Sequence, residues 1–194
     1  YDFAGRIEAF SAGTEPHGSW RGPLPGAQAP GPGPGQQQYA AGSMAGRTLA
    51  MLFQKTSTRT RCAGEIGMTQ LGGHAMYMDW RNTNFGLADL RDEIRVLSRY
   101  ADQLVVRFVD HADVVRAAAV SEVPLMNGCC NRYHPMQALA DLLTIEEACG
   151  RLEGIRLTYV GVLNNVCNSL IAGGTKVGMH VTAVTPEINP AAED

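Results

Sequence analysis

This 194-residue chain has no membrane-length apolar run and no excess of basic charge. No apolar stretch approaches the ~20 residues that a bilayer-spanning helix needs, so a membrane partner is not expected. Lys and Arg number 16 against 19 Asp and Glu, for a net charge of −3 and a pI near 6.0. That balance gives no general attraction to nucleic acid or to anionic surfaces. The five cysteines (Cys62, Cys129, Cys130, Cys149, Cys167) are odd in number and lack a Cys-x-x-Cys spacing. Reduced thiols in a reducing compartment are the default, either cytoplasm or an organelle matrix. The adjacent Cys129 and Cys130 read as small buried residues closing a strand rather than as a reactive pair. The N-terminal stretch has neither the basic start and apolar core of a secretory signal nor the arginine content of a mitochondrial transit peptide.

Charge is missing altogether from residues 22–46, which include Pro30-Gly31-Pro32-Gly33-Pro34-Gly35. Such a segment has too little apolar periodicity to offset its ordering entropy, so residues 1–46 read as irregular, with at most a short helix over 2–10. From residue 47 the pattern becomes regular. Strand-like runs fall at 48–53, 74–79, 103–109 and 123–128, and helix-like runs at 58–72, 89–101, 111–119 and 135–149. Leu90, Ile94, Leu97 and Tyr100, with Val96, suggest the apolar stripe of the second helix. Near-continuous apolar strands alternating with helices indicate an α/β fold, a parallel sheet covered by helices on both faces. Pro135 opens the helix at 135–149 and Gly150 follows it, as helix termini prefer. A second unit then begins with strand 156–162, helix 165–177 and strand 180–185. One βαβ unit cannot close a hydrophobic core alone. The expected division is 1–46, 47–150 and 151–194, the last being the start of an incomplete second domain.

Candidate chemistry lies where strands give way to helices. Open parallel sheets bind ligands at the carboxyl ends of their strands, and a helix N-terminus offers unpaired N–H groups and a positive dipole end. Ser57, Thr58 and Thr60 supply hydroxyls after the first strand, and Arg59 supplies a planar fork suited to phosphate. The plain alternative is a capped helix with surface arginines. Arg107 stands within the apolar run Val105-Val106-Arg107-Phe108-Val109, where a cation needs either an ion pair or a ligand. His134 precedes Pro135, and Gln137 lies on the first turn of that helix. Together these residues point to a site for a phosphate-bearing small molecule.

The same residues carry a resemblance. Phe53-Gln54-Lys55-Thr56-Ser57-Thr58-Arg59-Thr60-Arg61 resembles the carbamoyl-phosphate motif of the aspartate/ornithine carbamoyltransferase family. The likeness continues through Gln70-Leu71-Gly72-Gly73-His74-Ala75, Arg95-Val96-Leu97-Ser98-Arg99-Tyr100, Asn127-Gly128 and His134-Pro135-Met136-Gln137, over about residues 46–190. Ala138-Leu139-Ala140-Asp141 and Asn164-Asn165-Val166 are similar to the ornithine branch. The resemblance implies that Ser57, Thr58, Arg59 and Thr60 hold the phosphate of carbamoyl phosphate. It implies that Arg107, His134 and Gln137 hold the carbamoyl end, Arg107 and His134 as catalytic groups polarising its carbonyl. Asn165 is then implied to contact the amino-acid substrate, ornithine or a related amine. It further implies a homotrimer in arginine metabolism, with no metal or cofactor.

Several features depart from that family. Gln54-Lys55-Thr56 stands where Glu-Lys/Pro-like residues are usual, and Gly161-Val162-Leu163 replaces a Gly-Asp-Gly-like turn. The loop Asp79–Gly86 is unusual, and the Asp…Ser-Met-Gly and His-Cys-Leu-Pro segments of the ornithine branch do not occur. A non-catalytic carbamoyl-phosphate-binding or trimer-assembly module is therefore the second reading. A dinucleotide-binding protein is a third, weakened because the turn at 161–165 lacks the second and third glycines of that fingerprint.

Overall fold

The computed structural model describes residues 42–186. The irregular assignment for residues 1–41, including a short helix over 2–10, falls outside them. Residues 42–46 form a turn with positive φ at Gly42 and Gly46.

Four strands make the main sheet: β1 (Thr48–Phe53), β2 (His74–Asp79), β3 (Gln103–Arg107) and β4 (Leu125–Cys129). All pairings are parallel, in the order β2-β1-β3-β4. Between and after them run α1 (Thr58–Gln70), α2 (Leu90–Leu97), α3 (His111–Ala118) and α4 (Pro135–Cys149). Two 3₁₀ turns, Trp80–Asn82 and Asn84–Gly86, link β2 to α2.

Alternation along β1 divides the core into two layers, because successive side chains of a strand point to opposite faces. Ala50 and Leu52 pack with Leu104, Val106 and Phe108 against Ile94, Leu97, Val114 and Ala117 of α2 and α3. Leu49, Met51 and Phe53 form the other layer with Val105, Met68 and Met136. Helix α1 approaches the sheet closely at Gly64, where a Cβ would lie 2.3 Å from Met51 Sδ.

The expected elements are present with shifted ends. The third strand stops at Arg107 rather than 109, and the fourth spans Leu125–Cys129 rather than 123–128. The stripe of α2 needs correction: Leu90, Ile94 and Leu97 are buried, but the helix ends at Leu97, and Val96 and Tyr100 are exposed. Ala101 takes the buried place beyond the helix instead.

A second, two-stranded parallel sheet joins β5 (Arg156–Val160) to β6 (His180–Val184) through α5 (Asn165–Lys176). Gly173 and Gly174 let α5 fit between its neighbours. A Cβ on Gly173 would stand 3.3 Å from Leu142 of α4, and one on Gly174 would stand 2.7 Å from Val181 of β6. This sheet is half open, with Val160 and Val184 exposed.

Candidate active site

Register aligns the strand ends. Phe53 pairs with both Asp79 and Arg107, and Arg107 pairs with Cys129 across a register shift after Val106. Two β4 residues, Gly128 and Cys129, thus follow Asn127 where β3 advances by only one. Bulges of this kind re-aim a side chain at the rim of a sheet. Gly128 is what the close approach requires, since a Cβ there would meet Val105 Cγ1 at 3.1 Å and the Val106 carbonyl oxygen at 3.2 Å.

At the end of β1, Gln54 ties two strand exits together. Its N–H donates to the Arg107 carbonyl at 2.9 Å, and its Oε1 accepts from the Val109 N–H at 2.7 Å. Ser57 then caps α1 from an extended backbone, its Oγ accepting from the Thr60 N–H at 3.3 Å and donating to Thr60 Oγ1 at 3.0 Å. Thr58 and Arg59 lie exposed on the first turn. No acidic residue occupies the first turn of α1, α4 or α5, whereas α2 and α3 carry acids there. Helices α1, α4 and α5 thus present N-terminal dipole ends that no first-turn carboxylate offsets.

Arg107 ends β3, and its Nε and Nη1 are buried without a hydrogen-bond partner. Among the described residues it enters no ion pair, so the structural-pair explanation for a cation in this strand is not what the structure holds. Burying an unpaired guanidinium is costly unless an anion completes the arrangement. Cys129 lies beside it. Burial pushes that thiol's pKa up, while the Arg107 and Lys55 charges pull the other way.

His134 is the N-cap of α4, with no side-chain cap bond, and its Nδ1 is buried and unpartnered. Burial first, then the Arg107 and Arg59 charges, bring its pKa from the usual 6.5 down to about 4. The imidazole is therefore neutral at pH 7, carrying one N–H donor among cations. The charges of both arginines thus act on this imidazole.

Two other expected site residues are occupied differently. Gln137 is exposed, and its amide donates to Asp141 Oδ1 at 2.9 Å along α4. Asn165, at the first turn of α5, donates from Nδ2 to the Cys130 carbonyl at 2.7 Å and to Cys129 Sγ at 3.4 Å. Asn164 does the capping of α5, its Oδ1 accepting from the Val166 and Cys167 N–H groups. Gln54 and Ser169 escaped sequence reasoning as site-building residues. A polar residue at the buried spacing of Cys167 and Leu170 was the available signal for Ser169. Among the described residues, no group of three His, Cys, Asp or Glu side chains could hold a metal ion, and no helix is long and apolar enough to cross a membrane.

A parallel α/β sheet whose strand ends carry a capped helix N-terminus, a half-buried guanidinium with two unpartnered nitrogens and a buried imidazole nitrogen has the layout of an α/β domain suited to an anion. Residues 33–147 match the family model described as "Aspartate/ornithine carbamoyltransferase, carbamoyl-P binding domain". The chain belongs to that family. It is 46% identical over 152 residues to an ornithine carbamoyltransferase of Methanobrevibacter smithii, a match covering 78% of this chain and 50% of the relative. The solved ornithine carbamoyltransferase from Pyrococcus furiosus is 46% identical and superposes with a TM-score of 0.71, covering 74% of this chain and 46% of that one. The Thermus thermophilus enzyme gives a TM-score of 0.74 at 38% identity, over 80% and 55% of the two chains. The chain thus spans about half the length of the curated relatives it matches.

Proposed function

We propose that this chain binds carbamoyl phosphate and takes part in transfer of its carbamoyl group to the δ-amine of ornithine or a related amine, giving citrulline and phosphate from ornithine. The observation that carries this reading is the buried Arg107 guanidinium, with two unpartnered nitrogens, beside a neutral His134. Ser57, Thr58, Arg59 and Thr60 would take the phosphate through hydroxyls, first-turn N–H groups and a bidentate guanidinium. Arg107 and His134 would donate to the carbamoyl oxygen. Gln137 would join them by exchanging its Asp141 contact for the ligand, and Asn165 would offer its amide to the amino acid.

The chemistry then needs orientation and charge more than a nucleophile on the protein. The neutral amine attacks the carbamoyl carbon, forming the C–N bond, and the carbonyl oxygen becomes an oxyanion to which Arg107 and His134 would donate. The C–O bond to phosphate breaks, the amine's proton passes to the departing phosphate, and phosphate leaves against Arg59 and the α1 N-terminus. Donors fixed before reaction at a partly dehydrated site are worth more than donors that must reorient.

Residues 47–150 serve in this reading as the carbamoyl-phosphate domain and 151–194 as the start of the amino-acid domain. A homotrimer, a place in arginine metabolism and a cytoplasmic location complete it. The half-open β5–β6 sheet favours one second reading, a binding or assembly module that holds carbamoyl phosphate without turnover. Incubation of the chain with carbamoyl phosphate and ornithine, followed by colorimetric detection of ureido product, separates the two. Product that vanishes in Arg59→Ala supports the transferase, and saturable binding without product supports the module.

A further inference from the structure

We propose that Ser169, on α5 and outside the main sheet, is a positioning residue for His134, so that the second βαβ unit builds part of the carbamoyl-phosphate site. The inference deepens the proposed function by naming a group that holds one of its catalytic residues.

His134 leaves its own helix poorly restrained. Its backbone is neither helical nor extended (φ −134°, ψ 67°), it makes no side-chain cap, and its Nδ1 has no partner. The place of the imidazole therefore depends on where the His134 backbone is held. That backbone is held from α5: its N–H donates to Ser169 Oγ at 2.8 Å and to the Asn165 carbonyl at 3.2 Å. The same helix face grips the rest of the loop. Asn165 Nδ2 donates to the Cys130 carbonyl at 2.7 Å, and Asn168 Nδ2 donates to the Arg132 carbonyl at 3.2 Å.

Residues 165, 168 and 169 follow the spacing that places side chains together on one helix face. They meet the loop from Cys130 to His134 at its start, middle and end. Ser169 is only 5% exposed, so its hydroxyl is the shorter of two acceptors that His134 has in a place water does not readily replace. Removing it leaves the N–H on the longer Asn165 contact and frees the imidazole to swing. The charges that act on that imidazole are those of Arg107 and Arg59, both cationic.

The test uses the full chain with labelled histidine, read by NMR, and calorimetric titration with inorganic phosphate. Ser169→Ala is expected to shift and broaden the His134 imidazole resonances. It should weaken phosphate binding by about 3- to 10-fold, the range for loss of one buried hydrogen bond. Ser169→Thr, which keeps the hydroxyl, should restore both. Thr175→Ala, which removes a hydroxyl bonded only along α5, should change neither. Unchanged imidazole resonances in a folded Ser169→Ala protein would overturn the proposal, even if its melting temperature fell. If that variant does not fold, Ser169→Cys, similar in size and a weaker acceptor, carries the same test. Collapse of both variants would also overturn the proposal, in favour of a purely structural bond. If the unaltered chain fails to bind phosphate or carbamoyl phosphate, the proposed function falls, but the imidazole resonances still decide the role of Ser169.

Discussion

The two parallel sheets of this chain begin alike and finish differently. In the first, β1 buries every residue after Thr48 and β3 buries its middle three. In the second, β5 alternates between exposed and half-buried residues, and β6 leaves all but Val181 exposed. Parallel strands are stable when both faces are covered, which the first sheet achieves with helices on each side and the second does not. The covered sheet supplies fixed strand ends, and with them Arg107 and the approach to α1. The open one contributes chiefly through α5, whose first turns reach back to the loop that carries His134. In the proposed reading, a site for a small anion lies on the covered sheet while a helix of the open one helps to shape it.

That contrast can be broken most forcefully in the core. Ile94 is fully buried between α2 and the first sheet, so Ile94→Ala should cost about 2–5 kcal/mol in urea unfolding. A cost below that range would mean the first sheet is looser than its burial suggests. At the site itself, Arg59→Ala should weaken carbamoyl phosphate binding by roughly 10- to 100-fold, the worth of a charge-assisted hydrogen bond. Arg107→Met should also abolish tight binding, yet raise the melting temperature of the unliganded chain, because it removes a half-buried guanidinium with two buried, unpartnered nitrogens. Equal or lower stability in that variant would show that the two unpartnered Arg107 nitrogens are satisfied in the free protein.

Acid should act more gently. The folded-state pKa of His134 lies near 4, below the 6.5 expected of the unfolded chain. Between those values the unfolded chain takes up the proton and the folded one does not. This residue's contribution to stability is therefore complete above pH 6.5, falls as pH drops toward 4, and is level below that. Urea unfolding at intervals from pH 7 to 4 reads the slope, and His134→Gln should flatten it. Bound phosphate should move the imidazole pKa upward by adding negative charge nearby. The smallest effect belongs to the open sheet, where Val160 is 76% exposed. Val160→Thr should shift stability by no more than about 0.5 kcal/mol, and a larger loss would mean that something covers that face in solution.

The comparison also explains what the sequence made legible. Apolar runs such as Thr48–Phe53 and helix punctuation by Ser57, Pro135 and Gly150 depend on local chemistry, and each appears where that chemistry places it. Local patterns do not carry the long-range register. The bulge at Gly128 that aligns Arg107 with Cys129 and the burial of Ala101 in place of Tyr100 come from packing between distant segments. The site residues were legible as types at strand ends. Their states were not: the unpartnered nitrogens of Arg107, a depressed His134 and a Gln137 turned to Asp141 result from neighbours distant in the sequence or from one helix face. Ser169 was hidden for the same reason, since its partner is His134, the N-cap of the preceding helix.

The most direct test is calorimetric titration of the chain with carbamoyl phosphate, in parallel with Arg59→Ala. Saturable binding that is roughly 10- to 100-fold weaker in the variant is the expected result, and it would establish that the covered sheet holds a working phosphate site. A folded chain that takes up no carbamoyl phosphate, or a variant that binds as well as the original, would contradict the site described here.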